Sequence, residues 1–298
     1  MTVHVRAPGK INLSLRCGSL GEDGYHPLVT TFQAVSLFEE VSASPARGLS
    51  LTVSGDQAEL VPTGPENLAH RAASLLAEAT GREPDVALHL HKGVPVAGGM
   101  AGGSADAAAA LLACDALWGT GLSREELLEL AAQLGSDVPF SLLGHTAVGR
   151  GRGHLLTSVL AHGTFHWALA LRRSGQSTAE VYRRFDELGL GGEVDPEEDA
   201  ELLLALRQGD PVALGAALRN DLQEAAVDLV PGLARTIEVA REAEALGVVV
   251  SGSGPTVAAL AASPRHALEI SAAMLTRGGA DEVRTATGPV PGATILVR

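Results

Sequence analysis

Residues 95–110 read PVAGGMAGGSADAAAA, and the fold turns on how this stretch is read. Gly98, Gly99, Gly102 and Gly103 cluster around Met100 and Ala101, and Ser104, Ala105 and Asp106 lead into an alanine-rich run ending near Trp118. The pattern predicts a loop that feeds a helix. Glycine lets backbone N–H groups turn inward and a ligand approach closely. The first N–H groups of a helix have no intrahelical partner and sit at the positive end of its dipole. Such a terminus favours phosphate.

Four glycines are more than a tight turn requires, so a purely structural turn is the weaker reading. The stretch lacks the Gly-Lys-Ser/Thr ending of a Walker loop, and it is not a GxGxxG fingerprint followed by an acidic residue on a second strand. A third kind of phosphate cradle is needed.

The chain has 298 residues, enough for one large domain or two moderate ones without metal or disulfide staples. Hydrophobic residues make up 46% and aromatics only 3%, so Leu, Val and Ala must build the core. No apolar run reaches the roughly 18–20 residues of a bilayer span, and the opening MTVHVRAPGK has no signal-peptide core. A cytoplasmic protein is expected. Cys17 and Cys114 are too few for a disulfide framework or a thiolate metal site. A net charge of −13 argues against nucleic acid or an anionic membrane as partner. An acidic protein can still bind a polyphosphate through backbone N–H groups, Mg²⁺ and a few cations. The only lysines are Lys10 and Lys92, so their positions are informative.

Along the chain, residues 2–7 predict a strand, Pro8, Gly9 and Lys10 a kink, and Ile11 the start of a second strand. Lys10 reads either as a solvated strand residue or as pointing into a site beside Asn12. Gly18, Gly21 and Gly24 mark a loop holding Tyr25 and His26, which either anchor the loop or stack on and read the edge of a planar ligand. A strand resumes over 28–41, residues 49–54 and 86–91 alternate as strands, and 66–80 carry a helical apolar face. SREE at 123–126 is a capping box opening a helix that Gly135 stops. Asp137 then stands before a buried-looking Val-Pro-Phe run, as a turn or cap residue or as a base for a hydroxyl proton. Beyond about residue 156 follow a strand at 165–171, a polar loop at 174–182, an acidic run at 195–199 read as solvated linker or helix start, and leucine-rich helices. A strand at 248–251 entering a second glycine turn, GSGP, and a helix and a strand at 282–286 complete the expected order. Two halves are expected, 1–155 and 156–298.

Three separated stretches, APGKINL (7–13), the glycine loop and VSGSGPTV (250–257), together resemble the three motifs of the GHMP kinases, the superfamily of galactokinase, homoserine, mevalonate and phosphomevalonate kinases. DGYH (23–26), LGSDVPF (134–140), STAEVY (177–182) and NDL (220–222) are similar to those members that act on a cytidylylated sugar alcohol in non-mevalonate isoprenoid synthesis. The resemblance implies an ATP- and Mg²⁺-dependent small-molecule kinase of α+β class. Its two-domain fold would pair an N-terminal ribosomal-protein-like α/β domain, with a left-handed crossover, with a ferredoxin-like C-terminal domain. It implies that Pro95, Val96, Ala97, Gly98, Gly99, Met100, Ala101, Gly102, Gly103 and Ser104 cradle ATP and that Lys92 lies near the ATP base; the Mg²⁺ ligands stay open, with Ser104 a candidate. Lys10 and Asp137 match the catalytic pair, Tyr25 and His26 the pair that holds cytosine, and Asn12, Thr178 and Tyr182 the substrate pocket. The loop departs from the usual GLGGGSSD at Met100, Ala101 and Ala105. Another kinase of the superfamily, or a non-catalytic sensor of the same fold, is the alternative. The sequence leaves the oligomeric state open.

Overall fold

The computed structural model describes residues 1–96, 98–194 and 199–297. Strand β1 (Val3–Cys17) is the spine of the first sheet, pairing antiparallel with β2 (Leu28–Pro45) along almost its whole length. The expected kink at Pro8 is only a register shift between Pro8 and Gly9, so one strand replaces the two predicted. Proline has no N–H for the ladder, and an irregularity absorbs the missing bond without ending the strand.

β3 (Leu49–Gly55), α1 (Leu68–Ala79) and β4 (Val86–Lys92) form the parallel crossover unit, β3 pairing parallel with β4 and β4 antiparallel with β2. The glycine loop then enters α2 (Gly102–Trp118). This helix is buried on most sides, with Ala105, Ala107, Ala108, Ala109 and Ala110 all fully inaccessible. A helix apolar all round belongs inside, and alanine lets α1 and β1 approach its axis closely. α3 (Arg124–Leu134) carries both hydrogen bonds of the capping box, Glu126 N–H to Ser123 Oγ at 3.2 Å and Ser123 N–H to Glu126 Oε2 at 2.7 Å. Such a cap is worth about 1 kcal/mol. α4 (Val138–Leu143) follows at once, and β5 (Thr146–Gly151) and β6 (Leu155–Ser158) extend the sheet beyond β2.

The second sheet begins with β7 (Phe165–Leu171). The predicted polar loop at 174–182 is half helix, because Ser177 caps α5 (Thr178–Glu187) and only one face of that helix is apolar. The acidic run at 195–199 lies mostly outside the described residues; Asp199 is buried beside Arg16. α6 (Ala200–Gln208), α7 (Pro211–Ala217), the short β8 (Arg219–Asn220), α8 (Gln223–Leu229) and α9 (Gly232–Glu242) lead to β9 (Gly247–Val250), β10 (Val257–Ala261), α10 (Pro264–Thr276) and β11 (Glu282–Gly288). Spatial order β11-β7-β10-β9, with helical connections β7 to β9 and β10 to β11, is the ferredoxin-like arrangement.

Three features cross the expected cut between 155 and 156. β6 spans it within the first sheet, and β12 (Thr294–Val297), too short to stand out as a strand, returns to pair with β1. β8 also reaches across, pairing parallel with β1 at Ser14 and Leu15. The two sheets are therefore stitched together around β1, and a cleft opens between them.

Candidate active site

β1, the glycine loop and the 251–255 turn converge on one atom. The carbonyl oxygen of Gly99 accepts hydrogen bonds from Lys10 Nζ at 3.1 Å and from Ser251 Oγ at 3.2 Å. The loop is also tied to β1 by the Lys10 N–H, which donates to Met100 O at 3.0 Å. Gly9 permits this approach, since a Cβ there would meet Val94 at 3.1 Å and Met100 O at 3.4 Å. Gly99 is more constrained: its φ is +73°, and a Cβ would lie 2.5 Å from Ser251 O and 2.9 Å from Gly254 O. Gly99→Ala should therefore cost about 2–4 kcal/mol, from left-handed strain plus overpacking, and weaken nucleotide binding with it. Thermal unfolding reads the first effect and calorimetry the second; an unchanged melting temperature would show that the two turns can part freely.

Within the loop the side chains divide. Met100 is fully buried in the core with Ile11 and Val94, so its side chain does not border the cleft. Ala101 borders the cleft with φ 58° as the residue before α2, a conformation costing alanine about 1 kcal/mol or more. No side chain caps α2, which leaves the first helical N–H groups, those of Gly102, Gly103 and Ser104, directed at whatever anion sits above them. Pro95 and Val96 lie on the outer arm, the Val96 N–H donating to Gln57 Oε1 at 2.8 Å. Ala97 lies outside the described residues.

Lys10 is 5% exposed. Its ammonium donates to Asn12 Oδ1 at 2.8 Å, stands 5.5 Å above the Phe32 ring and reaches Asp137 Oδ2 at 3.8 Å. Burial lowers its pKa, and the Asp137 carboxylate opposes that shift. Asn12 is held in turn, its Nδ2 donating to Thr30 Oγ1 at 2.8 Å, so this amide orients Lys10. Asp137 occupies the residue before α4, as its turn reading required, yet its side chain caps nothing and faces Lys10 across the cleft.

The expectation for Lys92 is corrected. Its ammonium is turned into the protein, 2.6 Å from Glu39 Oε1 and in contact with Asp106 Oδ2, and it does not border the cleft. Burial and Asp106 push Glu39 up to about 7, and burial pushes Asp106 up to about 6, with Lys92 opposing both. Glu39 Oε2 also accepts the Gly93 N–H at 3.0 Å. The cluster clamps both ends of the glycine loop to β2. Sequence reasoning missed it because its members lie far apart along the chain.

The far wall of the cleft comes from the loop after β1 and from α5. His26 Nε2 lies 2.9 Å from Asp186 Oδ1, while the imidazole packs on Tyr182 at 4.9 Å between centroids and edge-on to Phe185 at 6.0 Å. Tyr25 is half-exposed, with the Arg152 guanidinium 3.4 Å from its ring centre. Thr178 Oγ1 meets Ser253 Oγ at 2.9 Å, joining α5 to the second glycine turn. Asn220 fixes that turn, its Nδ2 donating to Val250 O at 2.8 Å and Gly252 O at 2.7 Å. The cleft so enclosed holds about 960 Å³, at the upper end of small-molecule pockets.

Comparison with known proteins decides what bears this cleft. The model of the GHMP kinases N terminal domain matches residues 67–145, and that of the GHMP kinases C terminal matches 202–281. The chain is a GHMP kinase. It is 53% identical to the 4-diphosphocytidyl-2-C-methyl-D-erythritol kinase of Streptomyces coelicolor, over 99% of this chain and 100% of that one. It is 50% identical to the enzyme of that name from Mycobacterium tuberculosis, over 99% and 93%. Among solved structures, a 4-(cytidine 5'-diphospho)-2C-methyl-D-erythritol kinase superposes with a TM-score of 0.79 at 35% identity, covering 95% of this chain and 98% of that one. Homoserine kinase from Cytophaga hutchinsonii also gives 0.79, at 21% identity over 99% and 97%, a likeness of fold. The two-domain GHMP kinase fold is thus confirmed, and no helix among the described residues is long and apolar enough to cross a membrane.

Proposed function

We propose that this GHMP kinase transfers the terminal phosphoryl group of ATP to the 2-hydroxyl of 4-diphosphocytidyl-2-C-methyl-D-erythritol. The carrying observation is one cleft that joins the Lys10–Asp137 pair to the His26–Tyr182 wall, in a chain half identical to kinases named for that substrate.

In this reading Asp137 accepts the proton of the attacking hydroxyl, and Lys10 stabilises charge on the phosphoryl group as it moves. Asn12 holds the ammonium in place. The N–H groups at the start of α2, which no side chain caps, receive the nucleotide phosphates. Among the described residues no cluster of three or more acidic, His or Cys side chains could cage a metal. That suits Mg²⁺, which is commonly held by substrate phosphates and few protein oxygens; the Ser104 hydroxyl would be one. Bound there, Mg²⁺ would neutralise charge on the phosphates. Catalysis otherwise relies on position and field. Tyr25, His26, Thr178 and Tyr182 would hold the cytidylyl half, with Arg152 and Arg183 as cations bordering the same cleft. An intact Lys10–Asp137 pair is not needed by a non-catalytic sensor.

Tyr25→Ala and His26→Ala should each weaken the cytidylyl substrate about ten- to a hundredfold, since a stacked base contributes roughly 1–3 kcal/mol and an unpaired polar edge costs as much. The KM for ATP should hardly move. The test is ADP release with the cytidylyl compound against methylerythritol phosphate, mevalonate and homoserine. Preference for any of the last three would leave only the superfamily standing.

A further inference from the structure

The wall opposite the Lys10–Asp137 pair contains a hydrogen bond that the transfer chemistry does not use. His26 Nε2 and Asp186 Oδ1 are 2.9 Å apart, Asp186 lying near the end of α5 and His26 in the loop between β1 and β2. The imidazole cannot swing away from it, being packed between Tyr182 at 4.9 Å and Phe185 at 6.0 Å with its side chain 7% exposed. A carboxylate has no hydrogen to give, so in the neutral ring the proton belongs on Nε2. The other nitrogen, Nδ1, is left as a bare acceptor, and it bonds to no described residue in the cleft that His26 borders. The backbone N–H of His26 is likewise without a partner among the described residues. One residue thus offers one acceptor and one donor.

We propose that Asp186 is a specificity-determining positioning residue: by fixing the His26 tautomer it makes the cleft select a pyrimidine edge bearing an amino group over one bearing a carbonyl. This rests on the reading of the substrate as a cytidylyl compound. The edge of cytosine presents an amino donor beside a bare ring nitrogen, which complements an imidazole acceptor and a backbone donor. Uracil reverses both polarities, placing a carbonyl where the amino group was and an N–H where the bare nitrogen was. A carbonyl oxygen against the Nδ1 lone pair is repulsive and leaves two desolvated acceptors unpaired. Sites built around a specific hydrogen bond reject the analogue that cannot make it far more strongly than apolar pockets reject a missing methylene. Asp186 does not touch the base in this account. It acts through the ring.

Asn is the informative replacement, because it keeps the shape of Asp186 while its amide N–H₂ can donate to Nε2 and leave the proton on Nδ1. The side chain of Asp186 is 37% exposed, so the variant should fold. kcat/KM is measured for the cytidylyl substrate and for its uridylyl counterpart in wild type, Asp186→Asn and Asp186→Ala, with the KM for ATP alongside. Wild type should prefer the cytidylyl compound by at least about a hundredfold. Asp186→Asn should narrow that ratio at least tenfold, chiefly by gain on the uridylyl compound, with the KM for ATP unchanged. A merely structural role would lower both substrates equally and leave the ratio alone, which would overturn the inference. Nitrogen-15 NMR of His26 in the intact chain gives a readout independent of turnover: a protonated Nε2 and bare Nδ1 in wild type support the inference, and the reverse tautomer overturns it. Wild type that turns over neither compound would bring down the functional reading together with this one. Turnover of the cytidylyl compound with an unaltered ratio in Asp186→Asn would bring down this one alone.

Discussion

Asp137→Asn should lower turnover by a factor on the order of 10² or more while the protein folds and binds ATP as before. Asn preserves the shape of the side chain and removes its capacity to take a proton. The side chain makes no cap hydrogen bond to α4, so the substitution breaks none, and among the described residues its ion-pair partner is Lys10 at 3.8 Å. That ammonium keeps Asn12 Oδ1 and Gly99 O as acceptors and therefore stays in place. The deficit should appear in kcat, because Asp137 is asked to act on the reacting hydroxyl and not on the rest of the substrate. Steady-state rates with nucleotide titration check both halves. Near-normal turnover in a folded Asn variant would remove Asp137 from the mechanism.

Lys92→Met should destabilise the fold by about 3–5 kcal/mol, the usual result of stripping the partner from buried charge. Glu39 is wholly inaccessible and Asp106 is 2% exposed, so neither carboxylate can turn to water when the ammonium is gone. The pH dependence has a definite sign. Glu39 at about 7 and Asp106 at about 6 both lie above their ordinary values, so each favours the folded state at low pH and loses that contribution as pH rises through its folded value. Lys92 limits the loss, and Met removes the limit. The gap between wild type and variant should be small near pH 5 and widen through neutrality. Denaturant unfolding at several pH values measures it, and a gap independent of pH would mean that the cluster is held by something other than charge. A less well-fixed glycine loop should also raise the KM for ATP.

The loop-to-helix reading of residues 95–110, the capping box at 123–126 and the strands read at 49–54 and 86–91, each one residue longer in the fold, were legible because each rests on local chemistry: glycine freedom, a reciprocal cap, alternation with period two. Asp137 and Lys10 could be singled out by their neighbours in sequence. What they face could not, since the facing comes from β1 and α4 meeting in space. Lys92 shows the limit best. The resemblance implied a place near the ATP base, but Glu39 on the buried face of β2 and Asp106 on α2 claim its ammonium, and nothing local in the sequence ties those three together. α5 was hidden because a helix with a single apolar face reads as polar loop in a short window, although Ser177 and Glu180 carried its cap. Asp186 gave no signal at all; only the packing of α5 against the 18–27 loop brings it to His26.

The pairing of β12 with β1 sets an order of events during synthesis. A nascent chain offers β1 first, yet the edge of that strand taken by residues 294–297 stays open until nearly three hundred residues have been made. The second sheet, whose strands all fall between 165 and 288, needs none of residues 294–297 and can assemble before the first is closed. Contacts of such sequence separation form slowly, because the loop entropy is lost before the contact rewards it. An unpaired strand edge is meanwhile a template for other chains. A chain stopped at 288 should consequently retain its second sheet and aggregate through the first.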